Sequence, residues 1–221
     1  RDYGTRVIVV TGAGRGFCAG LDLKAGSEQG QWQPGVGPVQ DSMTFQEDIA
    51  DLMVKMRSCP QPLIAAVNGA PTGGGLSIAI ACDMRIGTHD AVVGMPEVRV
   101  GIPSVIHALL LPALIGPGAT NWLLLTGENV DGRQALQWGF LQFACAPDEL
   151  DAQIEKTVTA IVAGGPRAVR SQKALLRYWE QASIHDGLDR SVQAFGEAFT
   201  SDEPRQGMAP FLARKAQRRR G

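Results

Sequence analysis

The sequence predicts an α/β fold on three observations. Two short runs rich in β-branched residues, 6–11 and 62–67, read as buried strands. Strand, glycine turn and helix recur twice along the first half of the chain, and each such helix must cover a sheet face. The residues from 161 onward read as helices alone.

In chain order, residues 6–11 run into a turn at Gly12. The chain opens on this strand with neither an initiating Met nor a charged-then-apolar leader, so no signal peptide is expected and further strands are expected upstream. Residues 26–38 lack periodicity and read as a mobile loop. From Asp41 the pattern turns helical, with Met43, Ile49, Leu52, Met53 and Met56 at helix-like intervals until Ser58-Cys-Pro60 stops it. Residues 62–67 form the second strand, 73–81 an apolar helix begun by glycines, and 84–86 a third strand. Beyond Ile102 helices are expected over 104–115, 119–125 and 132–138, then a short strand at 142–146. Pro147 opens a helix reaching Val162. Gly164-Gly-Pro166 breaks it before two amphipathic helices, 167–180 and 183–200, and the basic run from Arg214 to Arg220 reads as a solvated, frayed terminus. Two domains follow: an α/β core over 1–160 and a helical region over 161–221.

Composition excludes several functions. The 221 residues carry 21 Lys+Arg against 22 Asp+Glu, a net charge of −1, so no single-sign field exists to hold nucleic acid. Apolar runs such as 108–111 fall far short of a membrane span, and no membrane partner is expected. Cys18, Cys59, Cys82 and Cys145 lie far apart with no C-x-x-C pair, which suits reduced thiols in the cytoplasm and predicts neither a disulfide frame nor a metal site.

Glycine is the outlier, with 27 residues concentrated in the first third. Gly14-Arg-Gly16-Phe-Cys-Ala19 fits a permissive dinucleotide pattern, but that fingerprint needs a helix beginning at the glycines. The turn at 69–75 lacks the Lys-Ser/Thr of a nucleotide P-loop. Gly75-Leu-Ser77-Ile-Ala79 is one residue from a nucleophile elbow, with Glu97 and His107 following in hydrolase order. An elbow, however, comes directly off a strand, and the strand here ends near Val67. A further reading takes the glycines at 73–75 as a helix start with unpaired N–H donors and nothing to block close approach. A second N–H from the turn at 18–21 would complete an oxyanion site. The same three glycines equally suit tight helix–sheet packing.

With these residues in view, the chain resembles the enoyl-CoA hydratase/isomerase (crotonase) superfamily. The matching pieces are 7–24, 62–69, 73–75, 81–86, 94–103, 124–127 and 207–215, in family order over nearly the whole chain. The resemblance implies a spiral of ββα units with a C-terminal helical trimerisation region, and a homotrimer or hexamer. It implies an acyl-CoA or enoyl-CoA substrate whose thioester carbonyl is held by the N–H groups of Leu21 and Gly74, with no cofactor beyond the coenzyme A of the substrate. Contacts to the CoA portion are implied at Ala19, Asp22, Leu23, Lys24 and Phe211.

The chain departs from the family's pattern in two ways. Family hydratases carry two glutamates, whereas here the first position is Ser77 and only Glu97 remains. The stretch that usually precedes the first strand is also absent from this chain. A lone carboxylate favours a double-bond shift, in which one group takes and returns a proton, over water addition, which needs a second group. Ser77 can orient a water, and His107, on an expected apolar helix, reads either as a packed core residue or as a further candidate pointing to the pocket. The expected function is therefore an enoyl-CoA hydratase/isomerase acting through an oxyanion-stabilised enolate. The alternatives are a CoA-binding pseudoenzyme and a CoA-thioester hydrolase.

Overall fold

The structure is a computed structural model that describes residues 4–28 and 35–218. In chain order the elements are β1 (Ile8–Thr11), α1 (Leu23–Glu28), α2 (Val36–Ser58), β2 (Leu63–Val67), α3 (Gly74–Ala81), β3 (Met84–Thr88) and β4 (Val92–Val93). A 3₁₀ turn at Pro96–Val100 and another at Ile106–Leu110 lead into α4 (Leu111–Thr126), β5 (Val130–Asp131), α5 (Gly132–Gln137) and β6 (Phe143–Cys145). After a short turn come α6 (Leu150–Val162), α7 (Pro166–Trp179), α8 (Ile184–Ala198) and α9 (Glu203–Arg218).

The chain divides into two compact units. The larger comprises Val9–Arg57 and Leu63–Ile154; the smaller comprises Glu155 onward with Ser58–Pro62 and the residues up to Ile8. The larger unit is built on a four-stranded sheet in the order β1-β2-β3-β6. β2 pairs parallel with β3, Ile64 opposite Met84 and Val67 opposite Gly87, and β3 pairs parallel with β6, Ile86 opposite Phe143. All five residues of β2 are buried, the pattern of a strand covered on both faces. β4 and β5 form a separate antiparallel pair.

Helix α3 follows from its sequence. Gly73 caps it with φ 53°, and Gly75, Leu76, Ser77, Ala79, Ile80 and Ala81 are all buried, so small residues let the helix lie close against its neighbours. Its C-terminal end is held by buried Arg85 of β3, whose guanidinium donates to the carbonyls of Ala79 (3.3 Å), Cys82 (2.9 Å) and Phe140 (2.8 Å). A cation there also meets the negative end of the helix dipole.

In the smaller unit, α7 packs on α8. Buried Lys173 donates to the carbonyl of Gln61 at 2.8 Å, Arg6 donates to the carbonyl of Gly164 at 2.6 Å, and Glu203 accepts from the backbone N–H groups of Arg167 and Ala168 at the start of α7.

Several expectations are corrected. Residues 26–38 are not one loop, since α1 runs to Glu28 and α2 begins at Val36, five residues before Asp41. Asp22 starts α1 by accepting from the N–H groups of Lys24 (3.0 Å) and Ala25 (3.1 Å), a local cap that carries no hydrophobic period for the sequence to reveal. The basic terminus is helical to Arg218, continuing α9. Residues 104–115 are not one helix. By length and composition, the 21 residues Ile106–Thr126 suffice to cross a membrane, contrary to the reading of short apolar runs. Gly116, at φ 77° and ψ 159°, breaks that stretch ahead of Pro117, and α4 packs on both 3₁₀ turns with Leu111, Ile115 and Leu123 buried.

Candidate active site

The two glycine turns meet. Asn68, directly after β2, reaches into the first turn, where its side-chain amide donates to the carbonyls of Gly12 and Gly14 (both 3.0 Å) and accepts from the N–H of Gly12 (3.1 Å). Cys18 then bridges to the second turn. Its N–H donates to the carbonyl of Ala70 at 3.3 Å, and its carbonyl accepts from the N–H of Thr72 at 3.1 Å. Glycine is required at 75 by this approach, because a Cβ there would lie 1.8 Å from the Cys18 carbonyl oxygen.

This docking puts Leu21 beside Gly74. A Cβ built on Gly74 would stand 4.0 Å from the backbone nitrogen of Leu21. Gly20 holds φ +86°, and a Cβ there would come 2.7 Å from the nitrogen of Gly74, so both its conformation and its bareness keep the two N–H groups side by side. The N–H groups of Gly73, Gly75, Leu76 and Ser77 are all taken, by the carbonyls of Gly94, Thr72, Gly73 and Gly73. Among the described residues those of Leu21 and Gly74 take no partner. Gly74 is the first residue of α3, so its donor also lies at the positive end of the helix dipole.

Both donors border a cavity of about 340 Å³, lined on one side by Phe45, Ile49, Leu52 and Met56 of α2. Ser77, Glu97 and His107 also line it. Glu97 comes from the 3₁₀ turn at Pro96–Val100, where its Oε2 accepts from the Ser104 hydroxyl at 2.8 Å. Its Oε1 would lie 3.2 Å from a Cβ on Gly73, so the carboxylate sits at the mouth of the same turn that exposes Gly74. His107 is 3% exposed. Burial, and secondarily the charge of Arg57, lowers its pKa from 6.5 to about 4, so the ring is neutral at physiological pH.

Leu21, Asp22, Gly74, Ser77, Glu97 and His107 all line this one cavity. Lys24 is not among the lining residues and stands in solvent beside Glu28, 3.9 Å away. Ala19 contributes its carbonyl near Gly73 and does not line the cavity. The side chains of Leu23 and Phe211 lie outside the described residues. Ser77 is the fourth residue of α3, ten positions past the end of β2, and so lacks the strand-to-helix turn of a hydrolase elbow. Among the described residues no cluster of three His, Cys, Asp or Glu side chains is arranged to hold a metal.

Sequence reasoning missed Gly20, Ser104 and the α2 wall. The stripe of Ile49, Leu52 and Met56 was legible as a helix, yet periodicity alone does not tell a cavity wall from a core face.

Two unpaired N–H donors and a carboxylate converging on an apolar cavity define a class, enzymes that steady charge on a carbonyl oxygen while a proton moves nearby. The sequence profile of the enoyl-CoA hydratase/isomerase family matches residues 1–218. YngF of Bacillus subtilis is 34% identical over 212 residues, covering 95% of this chain and 78% of that protein. The crotonyl-CoA hydratase of Syntrophomonas wolfei is 30% identical over 216 residues, 97% of this chain and 80% of that protein. The crystal structure of an enoyl-CoA hydratase from Bacillus anthracis matches with a TM-score of 0.86 at 30% identity, covering 96% of this chain and 80% of that one. The chain belongs to the enoyl-CoA hydratase/isomerase family and has the crotonase fold.

Proposed function

We propose that the chain binds an enoyl-CoA thioester with its carbonyl oxygen between the N–H groups of Leu21 and Gly74, and that Glu97 moves the proton on the carbons beyond it. The observation that carries this reading is the pair of unpartnered donors set side by side at a cavity that the carboxylate of Glu97 also lines, the other lining carboxylate, Asp22, being engaged with the backbone N–H groups of Lys24 and Ala25. Removing a proton next to a thioester sends negative charge onto the carbonyl oxygen, and two donors aimed there stabilise the enolate more than the ground state. Ser104 fixes one oxygen of Glu97, which leaves the other to take a proton from one carbon and return it to another. Double-bond migration needs nothing more. Water addition needs a second group to place the nucleophile, and Ser77, one turn into α3 from Gly74, is the residue for that role. No cofactor is required beyond the coenzyme A carried by the substrate.

The test supplies conjugated and non-conjugated enoyl-CoA esters separately in heavy water and follows α-proton exchange, double-bond position and hydroxyacyl-CoA. Exchange with double-bond migration is expected. Binding without exchange would make the chain a CoA-binding pseudoenzyme, and release of free CoA would make it a thioester hydrolase.

Self-association to a trimer or hexamer is also part of this proposal. On α8 and its C-terminal cap, Ile184, Leu188, Val192, Phe195 and Phe199 are all exposed, at 86%, 63%, 74%, 72% and 59%, along one stripe. A stripe so apolar supports burial against another copy of the chain.

A further inference from the structure

One polar side chain that lines the acyl cavity is almost wholly buried and is not used by the proton chemistry. His107 lines the cavity from the 3₁₀ turn at Ile106–Leu110, which packs on α3. Ile78, Ile102, Val105 and Ile106 line the cavity with it, as do the apolar residues of α2 and the polar side chains of Gln46 and Ser77. Its position is held against a backbone cost. Ile106, a β-branched residue, sits at φ 55°, a region such residues rarely enter.

The two ring nitrogens differ. Nδ1 is fully enclosed and has no hydrogen-bond partner. An enclosed N–H without an acceptor is rarer and costlier than an enclosed lone pair, so the proton of the neutral ring is assigned to Nε2. Nδ1 is the sealed nitrogen and Nε2 is not among the enclosed atoms without a partner, which leaves Nε2 as the nitrogen through which the ring can meet the cavity it lines. His107 therefore offers the cavity a buried donor, besides the Ser77 hydroxyl, on a wall that is otherwise largely hydrocarbon. A plain hydrocarbon chain packed over it would strip that donor of any partner, which is the arrangement that penalises a substrate lacking the matching group.

We propose that His107 determines specificity by donating from Nε2–H to an oxygen on the acyl chain, so that the preferred substrate is an enoyl-CoA ester whose acyl group carries a hydroxyl or keto oxygen beyond the reacting carbons. The neutral ring suits such an uncharged oxygen. This inference rests on the acyl-CoA reading of the cavity, and it identifies the class of acyl group rather than the chemistry performed on it.

The experiment compares hexenoyl-CoA with its keto and hydroxy analogues of equal chain length, for the native protein, His107→Leu and His107→Gln. The native protein is expected to favour the oxygenated esters by roughly ten- to a hundredfold in kcat/KM. In His107→Leu that ratio should fall to near one. His107→Gln, which returns an amide donor near the position of Nε2, should recover part of it. The ratio is the readout because a merely structural role for His107 would lower all esters alike. A native ratio of one or less, or a ratio unchanged in His107→Leu, overturns the inference while leaving the enoyl-CoA reading intact. If calorimetry finds that no CoA ester binds the native protein, the enoyl-CoA reading falls and this inference with it.

Discussion

The Ser104 hydroxyl donates to Oε2 of Glu97 at 2.8 Å, so the carboxylate that faces the cavity is held by a residue seven positions further along the same loop. Ser104→Ala removes the bond without changing the loop's apolar contacts. The expected result is a loss of roughly tenfold in kcat with KM little altered, because a carboxylate that can turn away spends less time aligned with the proton it must take. Steady-state kinetics check this, and an unchanged kcat would remove Ser104 from the positioning role.

Glu97→Gln keeps the shape of the side chain and its bond to Ser104 while removing the base. Exchange at the α-carbon should drop by roughly 10² to 10⁴, with CoA-ester affinity nearly unchanged. Ser77→Ala should be mild for exchange and double-bond migration. Hydration lost in Ser77→Ala while exchange persists would instead establish water addition as the main reaction.

Gly20 and Gly74 separate two ways of damaging the donor pair. Gly20→Ala places a Cβ 2.7 Å from the Gly74 nitrogen at a φ of +86°, so the turn must shift and turnover should fall by about 10² to 10³. Gly74→Val crowds the place where the oxygen would sit and should also cripple turnover. Its Cβ, however, finds only ordinary contacts, 3.5 Å to Gly20 Cα, so the folded protein should keep a near-native melting temperature. A folded Gly74→Val protein with near-native kcat/KM would rule out this oxyanion site.

The His107 ring links stability to pH. Its pKa is 6.5 in the unfolded chain and about 4 when folded, so between those values the unfolded chain binds a proton that the folded one refuses. Stability contributed by this residue is complete above pH 6.5 and falls as the pH drops, by about 3 kcal/mol once below pH 4. Chemical denaturation of native protein and His107→Leu at matched pH values should show a difference that widens in this window. Parallel curves would mean that the ring titrates normally in the fold.

The exposed stripe on α8 predicts concentration-dependent assembly. Light scattering of the native protein should report a trimer or hexamer at micromolar concentration, and Val192→Glu with Phe195→Glu should shift it toward monomer. A native monomer would contradict the proposal.

The sequence by itself determined the strands read at 62–67 and 84–86 and the glycine-started helix read at 73–81, which the structure places at Leu63–Val67, Met84–Thr88 and Gly74–Ala81, because a continuous apolar run bounded by glycine or proline has few other ways to bury itself. It also brought out Glu97, Ser77, Leu21 and Gly74, through motifs whose order along the chain was the signal. Three things were decided only by the tertiary structure. The adjacency of Leu21 and Gly74 depends on Cys18 and Thr72 pairing across 54 residues of chain, and no local period encodes such a contact. The partnership of Glu97 with Ser104 depends on how a loop folds back between two 3₁₀ turns. The apolar stripe on α2 became a cavity wall rather than core, since burial belongs to what lies opposite a helix face and not to the face itself.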